Sequence, residues 1–393
     1  MKIVQVNATS GVGSTGKICA AVSDILSSRG VENYILYSIG NSSVPKSIKF
    51  SNTFIRLFQS LLEKISGRNG FVAKFSTAFL IKRLNEISPD IVHLHNIHSH
   101  DIDLKMLFGY LKRKKIRLFW TFHDCWAFTG GCTHYDMIGC DKWKSKCVNC
   151  QSYRNFSFFF DVTDKNFIDK IEAYSKGLDL TIVTPSNWLG EQVKQSFLKS
   201  YPIKVINNGI DLDLFKPRKS DFRIKYDCED KFILLGVSFV WSIKKGIDIF
   251  IKLAQTLDSK FQIVLVGTNE TIDKQLPSNV ISIHRTNNQV ELAEIYSAAD
   301  LFVQVTREEN FPTVNIESLA CGTPILTFRT GGSPEIIDDT CGMVIEKNDY
   351  NGLKDAIEYI YEKKPYSEDS CVNRAQLYNK DNRFIDYSNL YDE

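Results

Sequence analysis

The chain reads as two consecutive α/β domains, each a doubly wound parallel sheet, and three observations support that expectation. Short apolar runs alternate with amphipathic stretches along the whole length, which is the pattern of βαβ units. At 393 residues the chain is long for a single core. Near its middle, Val205-Ile206-Asn207-Asn208-Gly209-Ile210-Asp211 punctuates it with Asn and Gly ahead of Lys216-Pro217. The expected domains are residues 1–204 and 205–378, with a tail, 379–393, packing back on the first.

In the first domain the strand candidates are Lys2–Val6, Tyr34–Tyr37, Ile91–His95, Leu118–Phe122 and Leu180–Thr184. In the second they are Phe232–Val237, Gln262–Val266, Val280–His284, Leu301–Val305 and Pro324–Thr327. Helical patterns such as Ile247–Leu257, Val290–Ala298 and Leu353–Glu362 lie between them. Ligands of open α/β sheets sit outside the carboxyl ends of the strands. Two such domains facing each other would therefore place the chemistry in the cleft between them.

Composition narrows the function classes. With 43% apolar and 24% charged residues and no low-complexity stretch, the chain is that of a globular protein. A net charge of +2 gives no electrostatic footprint for nucleic acid, and none is expected as a partner. No apolar run at the N-terminus suits a signal peptide, and the longest one, Phe232–Ile243, is too short to span a bilayer. The expectation is a reducing cytoplasm, where the ten cysteines are thiols or metal ligands. One segment, residues 50–83, mixes Phe54, Ile55, Leu57, Phe58, Leu61 and Leu62 with Arg56, Lys64, Arg68 and Lys74. It reads equally as a basic helix on an anionic membrane surface and as a core-facing helix with a solvated basic face.

Gly11-Val12-Gly13-Ser14-Thr15-Gly16-Lys17 follows the first strand and opens a helix. As a dinucleotide-binding turn it lacks an acidic residue after the second strand, which ends Leu36-Tyr37-Ser38. As a phosphate-binding loop it lacks the magnesium-ligating hydroxyl after Lys17, where Ile18 stands. What remains is a tight turn at a helix N-terminus.

The informative stretch runs from Thr306 to Pro324 after an apolar strand. Pro312 fits the first residue of a helix and Gly322 its end. Free N–H groups at Thr313 and Val314 would face the strand-end crevice, where a diphosphate could dock. Glu309 lies in the loop just before, able to accept hydrogen bonds from sugar hydroxyls. Glu317 lies about one and a half turns in, placed for a ribose diol.

These residues, with Ala320-Cys321-Gly322-Thr323-Pro324 and Gly331-Gly332-Ser333-Pro334-Glu335, resemble glycosyltransferase family 4, which has the GT-B fold. The resemblance takes in the Gly11–Gly16 turn, Pro89–His95, His123-Asp124, Thr184–Trp188, Asn208–Asp211 and Lys244–Asp248. It is strongest toward bacterial members that build capsule, O-antigen or exopolysaccharide. The resemblance implies that Lys245 neutralises a leaving diphosphate, that Glu309 contacts the transferred sugar, and that Glu317 binds the ribose. Asn310, Phe311, Pro312 and Thr313 would bind the donor beside Glu309. His123 would reach the sugar from the opposite domain, and Gly13 or Gly16 would let backbone approach the phosphates. Many members carry an arginine between the preceding strand and the Lys-Gly pair. Gly236–Ile243 has none, and Lys244 is the candidate substitute, although the two cations are not equivalent at bidentate sites.

Cys132, Cys140, Cys147 and Cys150 fall within a short loop, 130–150, and suit a structural zinc as well as they suit free thiols. His134 is a possible substitute ligand. His93, His95, His98 and His100 lack an acidic partner at ligand spacing and read as polar cleft-lining residues. The whole reading is a retaining hexosyltransferase that needs no catalytic metal or other cofactor. Its donor would be a nucleotide-diphosphate sugar, and its acceptor a saccharide, either free or linked to a polyprenyl diphosphate, in the cytoplasm or at the inner face of the plasma membrane. The rivals are a GT-B sugar-nucleotide epimerase and a non-catalytic nucleotide-sugar-binding protein.

Overall fold

The structure, a computed structural model, describes residues 1–392. The chain divides into two compact units, Met1–Ile206 together with the chain from Phe384 onward, and Asn207–Arg383.

The first unit is built on seven strands: β1 (Lys2–Asn7), β2 (Glu32–Tyr37), β3 (Ser47–Lys49), β4 (Ile91–Leu94), β5 (Arg117–Thr121), β6 (Leu180–Thr184) and β7 (Ile203–Val205). They lie in the order β3-β2-β1-β4-β5-β6-β7, and every pairing is parallel. The second unit has six: β8 (Phe232–Val237), β9 (Phe261–Val266), β10 (Val280–Ile283), β11 (Leu301–Gln304), β12 (Ile325–Phe328) and β13 (Gly342–Ile345). Their order is β10-β9-β8-β11-β12-β13, again all parallel. Both are Rossmann-like sheets whose order reverses beside the first strand.

Each sheet is covered on both faces, which is why its central strands are buried and largely apolar. In β8, Ile233 and Leu235 enter one core cluster while Leu234 enters the other, as alternation across a strand requires. In β1, Val4 and Val6 pack on one side and Ile3 on the other. That second face is closed by Ile18, Val22 and Leu26 of the helix Gly13–Ser28 and by Phe384, Tyr387 and Leu390 near the C-terminus.

All ten strands expected from sequence are present, with ends shifted by two residues at most. Three strands were not expected: β3, β7 and β13. Two of these, β3 and β7, contain no fully buried residue, and all three lie at the edges of their sheets. In β3 and β7 that partial burial leaves no strong apolar run. Residues 50–83 form parts of two helices, Thr53–Ser66 and Lys74–Ile87. Among the described residues no helix is long and apolar enough to cross a membrane.

Candidate functional site

In the second unit the order reverses between β8 and β11, and open α/β sheets bind their ligands beyond the carboxyl ends of the strands at such a switch point. The loop leaving β8 ends in a single turn of 3-10 helix, Ile243–Lys245, and the loop leaving β11 carries Val305 to Pro312. Gly246 joins them. Its φ is 79°, and a Cβ there would lie 2.6 Å from the Val305 carbonyl oxygen. Only glycine tolerates both conditions.

Arg307 clamps the same turn. Its backbone N–H donates to the Lys244 carbonyl at 2.8 Å, and its guanidinium makes two bonds to Asp248 at 2.8 and 2.7 Å. The guanidinium also donates to the Ile243 carbonyl. The turn is therefore fixed against the β11 loop, and two lysines meet two glutamates. Lys245 Nζ lies 2.8 Å from Glu309 Oε2, and Lys244 Nζ lies 2.5 Å from Glu308 Oε2.

A second glycine supports Glu309 from below. Gly331, at φ 54°, would bring a Cβ to 1.9 Å from the Glu309 carbonyl oxygen, and the N–H of Gly332 donates to the Asn310 carbonyl at 2.7 Å. The helix that follows is Thr313–Ala320, so Pro312 is its N-cap and not its first residue, as the sequence had suggested. At φ −73° and ψ 113° Pro312 is extended, and no side chain caps the helix. The first N–H groups, at Thr313 and Val314, have no intrahelical acceptor. Gly322, at φ 87°, lies just beyond the helix end, as expected. Phe311 is buried, while Thr313 and Glu317 are partly exposed. The Tyr296 phenol donates to Glu317 Oε2 at 3.3 Å. Burial, with Glu317 beside it, pushes that phenol well above its ordinary value, so it remains a donor.

Sequence reasoning named Lys245, Glu309 and Glu317 but gave no role to Arg307, Asp248 or Tyr296. An arginine beside two glutamates shows no spacing signal, because its partner is 59 residues away.

In the first unit the turn after β1 is closed by a bond from the Gly11 N–H to the Gly16 carbonyl at 3.0 Å. Gly16 is pressed against Thr9, whose Oγ1 would lie 2.6 Å from an added Cβ. Gly13, at φ 70°, faces open space at a helix N-terminus that no side chain caps.

His93 and His95 are more buried than the cleft-lining role given to them, while His98 and His100 are half-buried. His93 is inside the unit, with Nε2 2.8 Å from Thr121 Oγ1 and Nδ1 2.5 Å from the Tyr391 hydroxyl. Its ring stacks on His95 at 4.1 Å, and His95 Nδ1 lies 3.3 Å from His123 Nε2. Burial pushes His123 down to about 4, against the pull of Asp124, so its imidazole is neutral at pH 7. His98 Nε2 lies 2.8 Å from Asp124 Oδ2. Burial alone would lower His98, but the Asp124 carboxylate outweighs it and raises the imidazole. His98 does thus have an acidic partner, and so does His100, whose Nδ1 bonds the buried Glu63.

Cys132, Cys140, Cys147 and Cys150 all line one cavity of about 170 Å³, together with Gly130, Gly131 and Trp143. Cys147 Sγ accepts from the Gly130 N–H at 3.2 Å. Among the described residues no group of three or more His, Cys, Asp or Glu side chains is gathered as a formed metal site.

Comparison with known proteins gives the family and the fold. The family described as "Glycosyltransferase Family 4" matches residues 19–214, and "Glycosyl transferases group 1" matches residues 219–377. A protein of Escherichia coli (strain K12) described as a colanic acid biosynthesis glycosyl transferase, WcaC, is 21% identical over 376 residues, covering 89% of this chain and 88% of its own. The O-antigen biosynthesis glycosyltransferase WclY of Escherichia coli is 28% identical over 42% of this chain and 47% of its own. Among solved structures, sucrose-phosphate synthase from Thermosynechococcus elongatus aligns with a TM-score of 0.72 at 17% identity, covering 99% and 98% of the two chains. Anabaena HepE in complex with UDP and glucose aligns with a TM-score of 0.69 at 15% identity, covering 100% and 99%.

Two measurements check the geometry. Gly331→Ala and Gly13→Ala both force a side chain into left-handed backbone, but only the first collides with a neighbour. By chemical denaturation Gly331→Ala should lose about 1–3 kcal/mol more than Gly13→Ala, the usual cost of overpacking. Equal losses would contradict the close approach at Glu309. In an NMR titration His98 should protonate above its ordinary value while His123 stays neutral down to about 4. A His123 midpoint near 6.5 would contradict the buried stack.

Proposed function

Since the chain belongs to glycosyltransferase family 4, we propose that its second unit binds a nucleotide-diphosphate sugar at Lys245, Glu309 and Glu317 and that the sugar is transferred with retention to a saccharide acceptor. The observation that supports this most is the pairing of Lys245 with Glu309 at 2.8 Å beside an uncapped helix N-terminus. Breaking the bond between sugar C1 and the diphosphate leaves negative charge on the departing oxygen. Lys245 and the N–H groups at Thr313 and Val314 can stabilise that charge as it forms, without a catalytic metal. When the diphosphate takes Lys245, the Glu309 carboxylate is released to accept from sugar hydroxyls. Glu317, oriented by Tyr296, holds the ribose diol, and Asn310, Phe311, Pro312 and Thr313 flank the sugar and phosphates. Lys244 is held by Glu308, so its service as a second phosphate cation requires that pair to open.

No carboxylate nucleophile is assigned. In the same-face reaction the acceptor hydroxyl oxygen bonds to C1 as the C1–O bond breaks, and its proton passes to the leaving phosphate oxygen. His123 is assigned to the transferred sugar as a neutral hydrogen-bonding group, and Gly13 and Gly16 to the approach of phosphate. The likeness to WcaC and WclY, described by colanic acid and O-antigen biosynthesis, supports a place in the synthesis of a surface polysaccharide; a hexose as the transferred sugar and a lipid-linked acceptor at a membrane face are part of the proposal. Structural zinc at Cys132, Cys140, Cys147 and Cys150 belongs to the same proposal, because four thiols around one cavity are a donor set that zinc favours.

Thermal-shift measurements with UDP-, GDP- and ADP-sugars should show stabilisation by one nucleotide class. Glu317→Ala and Lys245→Ala should each lose most of it. An equal response to all classes, or an unchanged response in both variants, would contradict the site. Turnover should persist when magnesium and manganese are omitted, and formation of glycosylated acceptor separates transfer from epimerisation. Metal analysis of purified protein should find about one zinc per chain, and a content far below that ends the zinc assignment.

A further inference from the structure

The helix Thr53–Ser66 is mounted with its polar face inward. Its termini are well made: the Asn52 side chain accepts from the Ile55 N–H, and Gly67 closes the helix at φ 68°. Gln59 and Glu63, however, are 0% and 1% exposed. Gln59 Nε2 donates to Ser76 Oγ at 2.8 Å and to the His100 carbonyl at 3.1 Å. Glu63 accepts from the Gly70 N–H at 2.9 Å, from Asn69 Nδ2 at 3.0 Å and from His100. Because these bonds fix the roll of the helix, its apolar stripe faces solvent. Phe54, Leu57, Phe58, Leu61 and Ile65 recur at helical spacing and are all exposed, Phe54 to 82%.

The apolar surface continues onto neighbouring segments. Phe75 and Phe79, four residues apart on the helix Lys74–Ile87, are exposed as well. So are Phe158, Phe159 and Phe160, the last to 63%. That loop is tied to the end of the first helix: the Phe158 N–H donates to the Lys64 carbonyl at 2.8 Å, and the Phe160 carbonyl oxygen lies 3.2 Å from where a Gly67 Cβ would be. Monomeric proteins rarely leave so large an apolar patch uncovered.

Charge indicates what covers it. Residues 50–83 hold six basic side chains (Arg56, Lys64, Arg68, Lys74, Lys82, Arg83) and one carboxylate, the buried Glu63, a net of +5 in a protein whose total is +2. Arg68 turns inward to Asp169, while Lys82 and Arg83 meet Glu86. Among the described residues Arg56, Lys64 and Lys74 form no ion pair, and Lys64 lies 5.6 Å from the Phe158 ring. We infer that this face docks on an anionic lipid bilayer. The two helices and the Phe158–Phe160 loop would lie in the interface, with aromatic and aliphatic side chains in the acyl boundary and lysines at the headgroups. A helix of 14 residues is about 21 Å long and lies on the surface without spanning it. The inference deepens the membrane-face reading above but does not rest on the donor chemistry.

Flotation of the purified full-length chain with vesicles of phosphatidylcholine, with and without phosphatidylglycerol, tests it. The wild type should float with the anionic vesicles, weakly with the neutral ones, and less as salt is raised. Phe54→Ser with Leu61→Ser, and separately Phe159→Ser, should each reduce binding roughly tenfold or more, because each removes exposed apolar area only. Their stabilisation by the nucleotide sugar should be unchanged, which separates loss of docking from loss of fold or of donor binding. Three results would overturn the inference: no binding of wild type to anionic vesicles, equal binding by the variants, or a wild-type dimer that the substitutions dissolve.

Discussion

Two glycines at the mouth of the second sheet set the geometry on which the candidate site depends. Gly246 lets the lysine turn press on the Val305 carbonyl, and Gly331 lets the Gly-Gly turn press on the Glu309 carbonyl. Together with the Arg307–Asp248 clamp, these contacts leave Lys245 and Glu309 little choice but to meet. Neither side chain is deeply buried, so the pair is exchangeable: such ion pairs are worth only about 0–1 kcal/mol. A diphosphate carries more charge than one carboxylate and can displace Glu309 from the ammonium. In the proposed reaction the same exchange would hand the carboxylate to the sugar, so that binding and positioning would be one event.

The first unit is organised by buried polar groups instead. Three stacked imidazoles run from Tyr391 to His123, and burial keeps them neutral. Alongside, Lys170 is fully buried, 3.6 Å from the centre of the Trp126 ring, and donates to the carbonyls of Trp126 and Thr129 at 2.6 and 3.0 Å. Burial lowers its ammonium to about 7. These bonds anchor the start of the cysteine loop to the body of the unit. The loop itself, residues 130–150, contains only single 3-10 turns, Asp136–Ile138 and Lys142–Lys144.

How much of this was legible in the sequence depends on whether the cause is local. Central strands such as Phe232–Val237 and Leu180–Thr184 are apolar because both faces are covered, and they could be read residue for residue. The edge strand Ser47–Lys49 offers one apolar residue between Ser and Lys and could not. Glu309 and Glu317 announced themselves by their places just before and within the helix that follows Pro312. The matching of Lys244 with Glu308 and Lys245 with Glu309 spans 64 residues and appears only in the fold. For residues 50–83 the amphipathic pattern was plain, but a pattern does not say which face turns inward. That was decided by Asn69, Gly70, Ser76 and His100, partners up to 41 residues away.

The central claim is that Lys245 is shared between Glu309 and the diphosphate of the donor. It is tested most directly by the affinity of the bare nucleoside diphosphate, measured by calorimetry, in Glu309→Gln, Lys245→Met and the double variant. If the carboxylate competes for the ammonium, Glu309→Gln should bind the sugar-free diphosphate several-fold more tightly than wild type, an effect on the order of 1 kcal/mol. That gain should vanish when Lys245 is also replaced. Weaker binding by Glu309→Gln, or a gain that persists without Lys245, would contradict the account.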